Sequence, residues 1–154
     1  MPKCYQMVGV PYSGKSTWIS NQEWLPGHVV VSTDRFVEEH ARSVGKTYRE
    51  VFEEYMPKAI DLMLQEVITA RDSGLDVIWD QTSTTRLSRA RKVRMLPDYD
   101  HIAVLFDTPN HDDLHRRITQ RSDKVVPKEV IDSMIEDFEK PELDEGFTEI
   151  WFAK

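Results

Sequence analysis

Gly9, Val10, Pro11, Tyr12, Ser13, Gly14, Lys15 and Ser16 fill every fixed position of the spacing GxxxxGK[ST]. A short apolar stretch ends at Gly9 and a helix can begin at Lys15. Successive backbone amides and the positive end of that helix would then surround a polyphosphate. Gly14 lets the backbone approach the anion without a side chain in the way. This arrangement predicts ATP binding by Gly9, Pro11, Tyr12, Ser13, Gly14, Lys15, Ser16 and Thr17. Lys15 bridges the β- and γ-phosphates, the Ser16 hydroxyl supplies one ligand to a magnesium ion that keeps most of its waters, and Thr17 sits near the α-phosphate. A chance match in a surface glycine turn is the bland alternative, and the strand-loop-helix setting weighs against it.

Two aspartates lie just beyond apolar stretches, where open α/β sheets bind their ligands. Asp34 follows His28 to Thr33, and Asp80 ends Leu75 to Asp80. Phosphoryl transfer to a hydroxyl needs a carboxylate that positions the attacking oxygen and accepts its proton. Asp34 suits that role, with Arg35 and Phe36 beside it to form an acceptor pocket. Asp80 suits the magnesium, through its water, or the acceptor, together with Thr82. As structural residues the two would be a helix N-cap and a turn acid.

The run Arg86 to Arg94, RLSRARKVR, has five cations and no acid. Arg86 and Arg89 lie on adjacent turns of a helix and could reach an acceptor's phosphodiester. A helix would also spread these charges around its circumference, and charge runs usually face water. Arg116, Arg117 and Arg121 precede a short polar stretch that could close over ATP. Arg121 is the candidate for charge on the transferring phosphoryl group, and Arg117 for the nucleotide. His28, His40, His101, His111 and His115 have no metal-ligand spacing. His40 falls nearest the acceptor side.

These residues need a scaffold with strand ends converging on one loop. Tyr5 to Val10, His28 to Ser32, Leu75 to Trp79 and Ile102 to Phe106 are short, apolar and bounded by turn signals, as buried parallel strands are. Phe147 to Phe152 is a weaker fifth. Helix-like stretches alternate with them: Lys15 to Asn21, Tyr48 to Ser73 stopped by Gly74, Asp112 to Gln120, and a last one from Pro127 through Glu139. Inside the long run, Val51, Phe52, Tyr55, Ile60, Met63, Leu64, Val67 and Ile68 recur at helical spacing and read as core. Pro57 is expected to kink that helix or open a second one. Ser122 to Val126 is a polar connection. Such alternation predicts an α/β parallel sheet.

The 154 residues fit a single domain spanning 1–154, with 40% hydrophobic and 31% charged residues giving an ordinary globular composition. A net charge of −7 argues against broad coating of nucleic acid but leaves room for a narrow basic groove. Cys4 is the only cysteine, which excludes an intrachain disulfide. Without a signal-peptide pattern or an apolar run near the roughly 20 residues that span a bilayer, a cytoplasmic protein without membrane contact is expected.

The chain resembles the kinase domain of bacteriophage polynucleotide 5′-kinases and related small P-loop (AAA-type) kinases. The resemblance covers nearly all of it and rests on GVPYSGKSTW at 9–18, STDRF at 32–36, DQT at 80–82 and the lid-like RRITQRSDKVVPKEVIDSM at 116–134. It implies a three-layer fold around a five-stranded parallel sheet of order 2-3-1-4-5, with a helical lid at about 116–130. It implies ATP and magnesium at Lys15 and Ser16, a general base at Asp34, an acceptor-side network at Asp80 and a γ-phosphate contact at Arg121. The phage enzymes hold the acceptor's terminal phosphodiester with an arginine a few residues after the base. Here that position is Val37, with Arg35 or Arg86 as substitutes. The phage enzymes' phosphatase domain has no counterpart, so kinase activity alone is expected. The expected acceptor is the 5′-hydroxyl of a nucleic-acid end. A nucleoside, sugar or modified DNA base is the alternative, and an ATP-binding switch with little acceptor chemistry is a reading of another class.

Overall fold

The computed structural model describes residues 1–24, 27–121 and 125–153. Five parallel strands, β1 (Lys3–Val8), β2 (His28–Val31), β3 (Asp76–Trp79), β4 (Asp100–Leu105) and β5 (Phe147–Phe152), form one sheet of order β2-β3-β1-β4-β5. This is the expected order. The elements between them are α1 (Lys15–Ser20), α2 (Asp34–Ser43), α3 (Tyr48–Asp72), α4 (Arg86–Met95), α5 (His111–Gln120) and α6 (Lys128–Glu136), with a 3-10 turn at Leu143–Glu145.

Side chains alternate across a strand, so a sheet covered on both faces buries two separate sets. Cys4, Val77 and Trp79 pack on one face against Met63, Val67 and Ala70 of α3, with Leu96 and Tyr99 beyond α4. Tyr5, Met7, Ile78, Ile102 and Val104 pack on the other against Ile19 of α1 and Phe106. Helices on both faces of a parallel sheet make the three-layer P-loop arrangement. Registers Cys4↔Val77 and Cys4↔His101 place β1 between β3 and β4. The loop after β1 therefore opens among the carboxyl ends of its neighbours.

Helix α3 begins with a capping box. The Thr47 hydroxyl accepts from the Glu50 amide at 3.2 Å, and the Glu50 carboxylate accepts from the Thr47 amide at 3.0 Å. The helix runs 25 residues and includes Pro57, so no second helix opens there. Gly74, at φ 66°, ends it as expected. Its apolar stripe is only partly core: Val51, Met63 and Val67 are buried, whereas Phe52, Ile60 and Ile68 are 38–40% exposed. The last helix stops at Glu136 rather than Glu139. Among the described residues no helix is long and apolar enough to cross a membrane.

Candidate active site

The phosphate loop is held from both sides. The Gly9 amide donates to the Thr82 carbonyl at 2.9 Å, tying the loop to the segment after β3. A Cβ at Gly9 would come within 2.5 Å of the Ser13 hydroxyl oxygen and 2.9 Å of the Phe106 Cβ, so the packing requires glycine there. Tyr12 at φ 68° and Gly14 at φ 101° turn the backbone. Lys15 Nζ donates to the carbonyls of Gly9 and Val10, both at 2.8 Å, which centres its ammonium in the loop. The Arg117 guanidinium donates to the Tyr12 carbonyl at 2.6 Å, and the Tyr12 hydroxyl accepts from the Val126 amide at 3.1 Å. Tyr12 thus joins the loop to α5 and to the segment leading into α6.

The loop opens into a cavity of about 1480 Å³. Pro11 through Thr17 form its phosphate end, and Asp34, Asp80 and Thr82 enter from the ends of β2 and β3. Arg117 of α5 and Arg121, just beyond its end, also line it. Gly9 lies buried beneath the loop rather than in the lining. The lid expected at about 116–130 falls partly on residues 122–124, outside the described residues.

Thr33 caps α2, so Asp34 is the first residue of the helix rather than its N-cap, and its amide donates to the Ser32 hydroxyl at 3.1 Å. Asp34 Oδ1 accepts from the Tyr48 hydroxyl at 2.7 Å. Burial first, then the neighbouring Asp34 carboxylate, pushes the Tyr48 phenol far above its ordinary value, and it remains a donor. Gln81, between Asp80 and Thr82, accepts from the Trp79 indole at 2.9 Å and donates to Thr33 at 3.4 Å, linking the ends of β2 and β3.

The opposite wall is made by α2 and the start of α3. Arg35 and Glu38 face it from α2, and Tyr48, Arg49, Phe52, Glu53 and Met56 from α3. The spacing 48, 49, 52, 53, 56 is one face of a helix. That spacing is present in the sequence, where it overlaps the apolar stripe at Phe52. Arg35 lies over the Phe36 ring at 4.7 Å and pairs with Glu66.

Two expected acceptor residues are elsewhere. Arg89 is 0% exposed, with Nε 2.8 Å and Nη2 3.2 Å from the two carboxylate oxygens of Glu145 and Nη1 donating to the Ser83 carbonyl at 2.9 Å. Arg86 pairs with Asp144 at 3.1 Å and Glu142 at 3.4 Å. Neither lines the cavity. Where an acceptor's phosphodiester was expected, α4 points these arginines at the acids of the 3-10 turn Leu143–Glu145 rather than into the cavity. Val37 is fully buried against Ala41, Tyr48 and Val51, so an arginine at that position would face the core between α2 and α3. Arg116 pairs with Asp113 on the surface, and His40 stacks on Tyr55.

The residues present fit a nucleotide and its magnesium. A glycine-bounded loop presents its backbone to the cavity, the exposed Ser16 hydroxyl follows Lys15, and Asp80 reaches the same space. Among the described residues no group of three or more His, Cys, Asp or Glu could hold a metal, so an ion here would take its remaining ligands from phosphate and water.

Solved structures share the fold. A chain from Chloroflexus aurantiacus j-10-fl described as a candidate kinase is 17% identical, with a TM-score of 0.70, and the match covers 99% of this chain and 84% of that one. A sugar kinase from Janibacter sp. HTCC2649 is 16% identical, with a TM-score of 0.61, covering 99% and 86%. Kti12 from Chaetomium thermophilum, solved in complex with ADP-AlF3, is 12% identical, with a TM-score of 0.60, covering 97% and 88%. No curated protein matches the chain. The AAA domain family AAA_33 matches residues 5–141, and the chain belongs to that family.

Proposed function

We propose that the protein is an ATP-dependent kinase that transfers the γ-phosphate to a hydroxyl of a small acceptor such as a nucleoside, a sugar or a modified base. The observation that carries this reading is the shared cavity, which the phosphate loop and Asp34 both line. Lys15, Arg117 and Arg121 bind and neutralise the phosphates. Ser16, and Asp80 through water, would hold a magnesium ion, which would offset negative charge on the transferring phosphates. Asp34 accepts the proton of the acceptor hydroxyl as that oxygen bonds to the γ-phosphorus. The bond to the β-γ bridging oxygen breaks, and ADP leaves with the electron pair.

The resemblance to polynucleotide 5′-kinases favours a nucleic-acid end as acceptor. Three features weigh against it: Arg86 and Arg89 are engaged with acids outside the cavity, Val37 is buried, and Arg35 is paired with Glu66. The facing wall carries Glu38 and Glu53 beside Arg49, which does not suit a chain of phosphates. The sugar kinase among the structural relatives agrees with a small acceptor. A screen with γ-labelled ATP against nucleosides, sugars, modified bases and 5′-hydroxyl DNA and RNA tests the reading. Label is expected on a small acceptor. Label confined to oligonucleotide ends would restore the polynucleotide assignment, and ATP binding without label on any acceptor would favour a nucleotide-dependent switch.

A further inference from the structure

Tyr48 stands apart from the rest of the acceptor wall because it is buried and yet touches the candidate base. Its side chain is packed among Val37, Ala41 and Val51, and only 8% of the residue is exposed, while its hydroxyl reaches Asp34 Oδ1 at 2.7 Å. Both ends of this bond are fixed. Tyr48 is the first residue of α3, where the Thr47–Glu50 capping box sets the helix start, and its ring lies 5.5 Å from that of Phe52. Asp34 begins α2, with Thr33 at the cap and Ser32 accepting from its amide. The bond therefore joins the two helices that form the acceptor wall, at the residue that must receive the proton.

We infer that Tyr48 is a positioning residue for phosphoryl transfer, one that sets the orientation of the Asp34 carboxylate and thereby aligns the acceptor hydroxyl with the γ-phosphate. This rests on the proposed role of Asp34 as the base. A carboxylate can rotate about its Cβ–Cγ bond, and a charge-assisted bond of this length from a buried phenol restricts that rotation. The phenol stays neutral beside Asp34 and Glu38, both of which favour its protonated form. Other charged groups share the cavity: Arg35 on α2, Arg49 and Glu53 on α3, Asp80 after β3 and Lys15 in the loop. Tyr48 differs from them in bringing a neutral donor to Asp34 from a packed position.

Tyr48→Phe removes one oxygen and keeps the packed ring. In steady-state kinetics with ATP and the acceptor found by the labelling screen, kcat should fall about tenfold, because loss of orientation costs rate rather than binding. The KM for ATP should stay within about twofold, and the thermal midpoint and ATP affinity should show that the variant is folded. A purely structural tyrosine would lower the midpoint and leave the kcat of the folded enzyme alone. A kcat within about twofold of wild type, or a fall matched by lost ATP binding, would overturn the inference and leave the kinase reading standing. If the wild-type protein transfers no phosphate to any acceptor, the kinase reading falls and this inference falls with it.

Discussion

Lys15 and Arg89 are both cations that donate to backbone carbonyls close to the candidate active site, and the difference between them divides the molecule. Lys15 lies on the cavity, in a loop whose backbone takes positive φ values at Tyr12 and Gly14. Arg89 has no exposed surface and sits behind the cavity wall, forked onto Glu145 and bonded to Ser83. Ser83 itself has φ 46°, and the next-door Thr82 carbonyl receives the Gly9 amide. Arg89 therefore supports the segment that supports the phosphate loop. Cations that could meet a ligand and cations that hold the scaffold have the same chemistry. What separates them is access to the cavity.

The largest expected effect comes from Lys15→Ala. Under the proposed function, removing this ammonium from the phosphate loop should lower phosphoryl transfer by about 10³-fold or more, with little change in thermal stability because the side chain is only part-buried. Turnover with labelled ATP and a melting curve on the same sample check it. Normal turnover would remove the phosphate loop from the site and break the comparison at its first member.

Arg89→Ala comes next and should act on stability. Among the described residues it leaves the Glu145 carboxylate, whose side chain is 4% exposed, with only the Glu142 amide at 2.7 Å and Arg86 at 3.6 Å, and breaking one partner of a buried pair costs about 3–5 kcal/mol. Urea denaturation gives the value. Unchanged stability with a raised acceptor KM would return Arg89 to substrate binding and erase the distinction drawn here.

Lys92, one turn after Arg89, sharpens the comparison because it is buried with weaker compensation. Its ammonium donates to the Ser88 carbonyl at 3.3 Å and lies 5.6 Å from the Trp79 ring centre. Burial, the largest influence, lowers it from 10.5 to about 8. At pH 7 it is charged both folded and unfolded, and the fold bears the cost of burying that charge. The cost fades as pH rises from about 8 towards 10.5, because the unfolded chain then binds the proton better. Cys4 acts in the opposite sense: burial pushes its thiol from 9.0 to about 12, so the unfolded chain ionises first and stability is lost across that range. Lys92→Met should therefore stabilise the protein by about 1–3 kcal/mol at pH 7, with the gain shrinking above pH 8. Denaturation at pH 7 and pH 9 measures both.

Legibility in the sequence follows how local each determinant is. The phosphate loop depends on eight consecutive residues, so spacing alone exposed it, and Asp34 and Asp80 followed from apolar runs that end beside them. Strand order was accessible through the resemblance, since the apolar runs alone do not rank their neighbours. The sequence DRFVEEHARS has few apolar residues, and no helix was expected there beyond the reading of Asp34 as a cap, yet α2 forms by burying Val37 and Ala41 against α3. The cavity wall formed by α2 and α3 was hidden because α3 has two jobs. Val51 and Met63 face the core while Phe52, one turn from Tyr48, faces the cavity, and a single apolar stripe cannot express both. The Arg89–Glu145 pair joins residues 56 apart, which no local spacing reveals.

Arg86 carries the smallest expected effect and tests the boundary between the two kinds of cation. It belongs to the same basic run as Arg89, but its side chain is 41% exposed, its nearer acidic partners Glu142 and Asp144 are 66% and 68% exposed, and the buried Glu145, already forked by Arg89, lies farther off at 3.6 Å. Ion pairs of that kind contribute little, because solvent screens them and long side chains lose freedom in forming them. Arg86→Ala should therefore leave the melting curve nearly unchanged. It should also leave acceptor KM within about twofold at low and at high salt, since Arg86 does not line the cavity. A polynucleotide crossing the α4 surface would respond differently: loss of one phosphate contact would weaken acceptor binding at low salt and reduce its salt dependence. Acceptor kinetics of wild type and variant at two ionic strengths separate these outcomes. A salt-dependent rise in acceptor KM would show that a ligand can displace Glu142 and Asp144 from an exposed arginine, and that access at the surface, as well as access to the cavity, decides which cations in this fold meet a substrate.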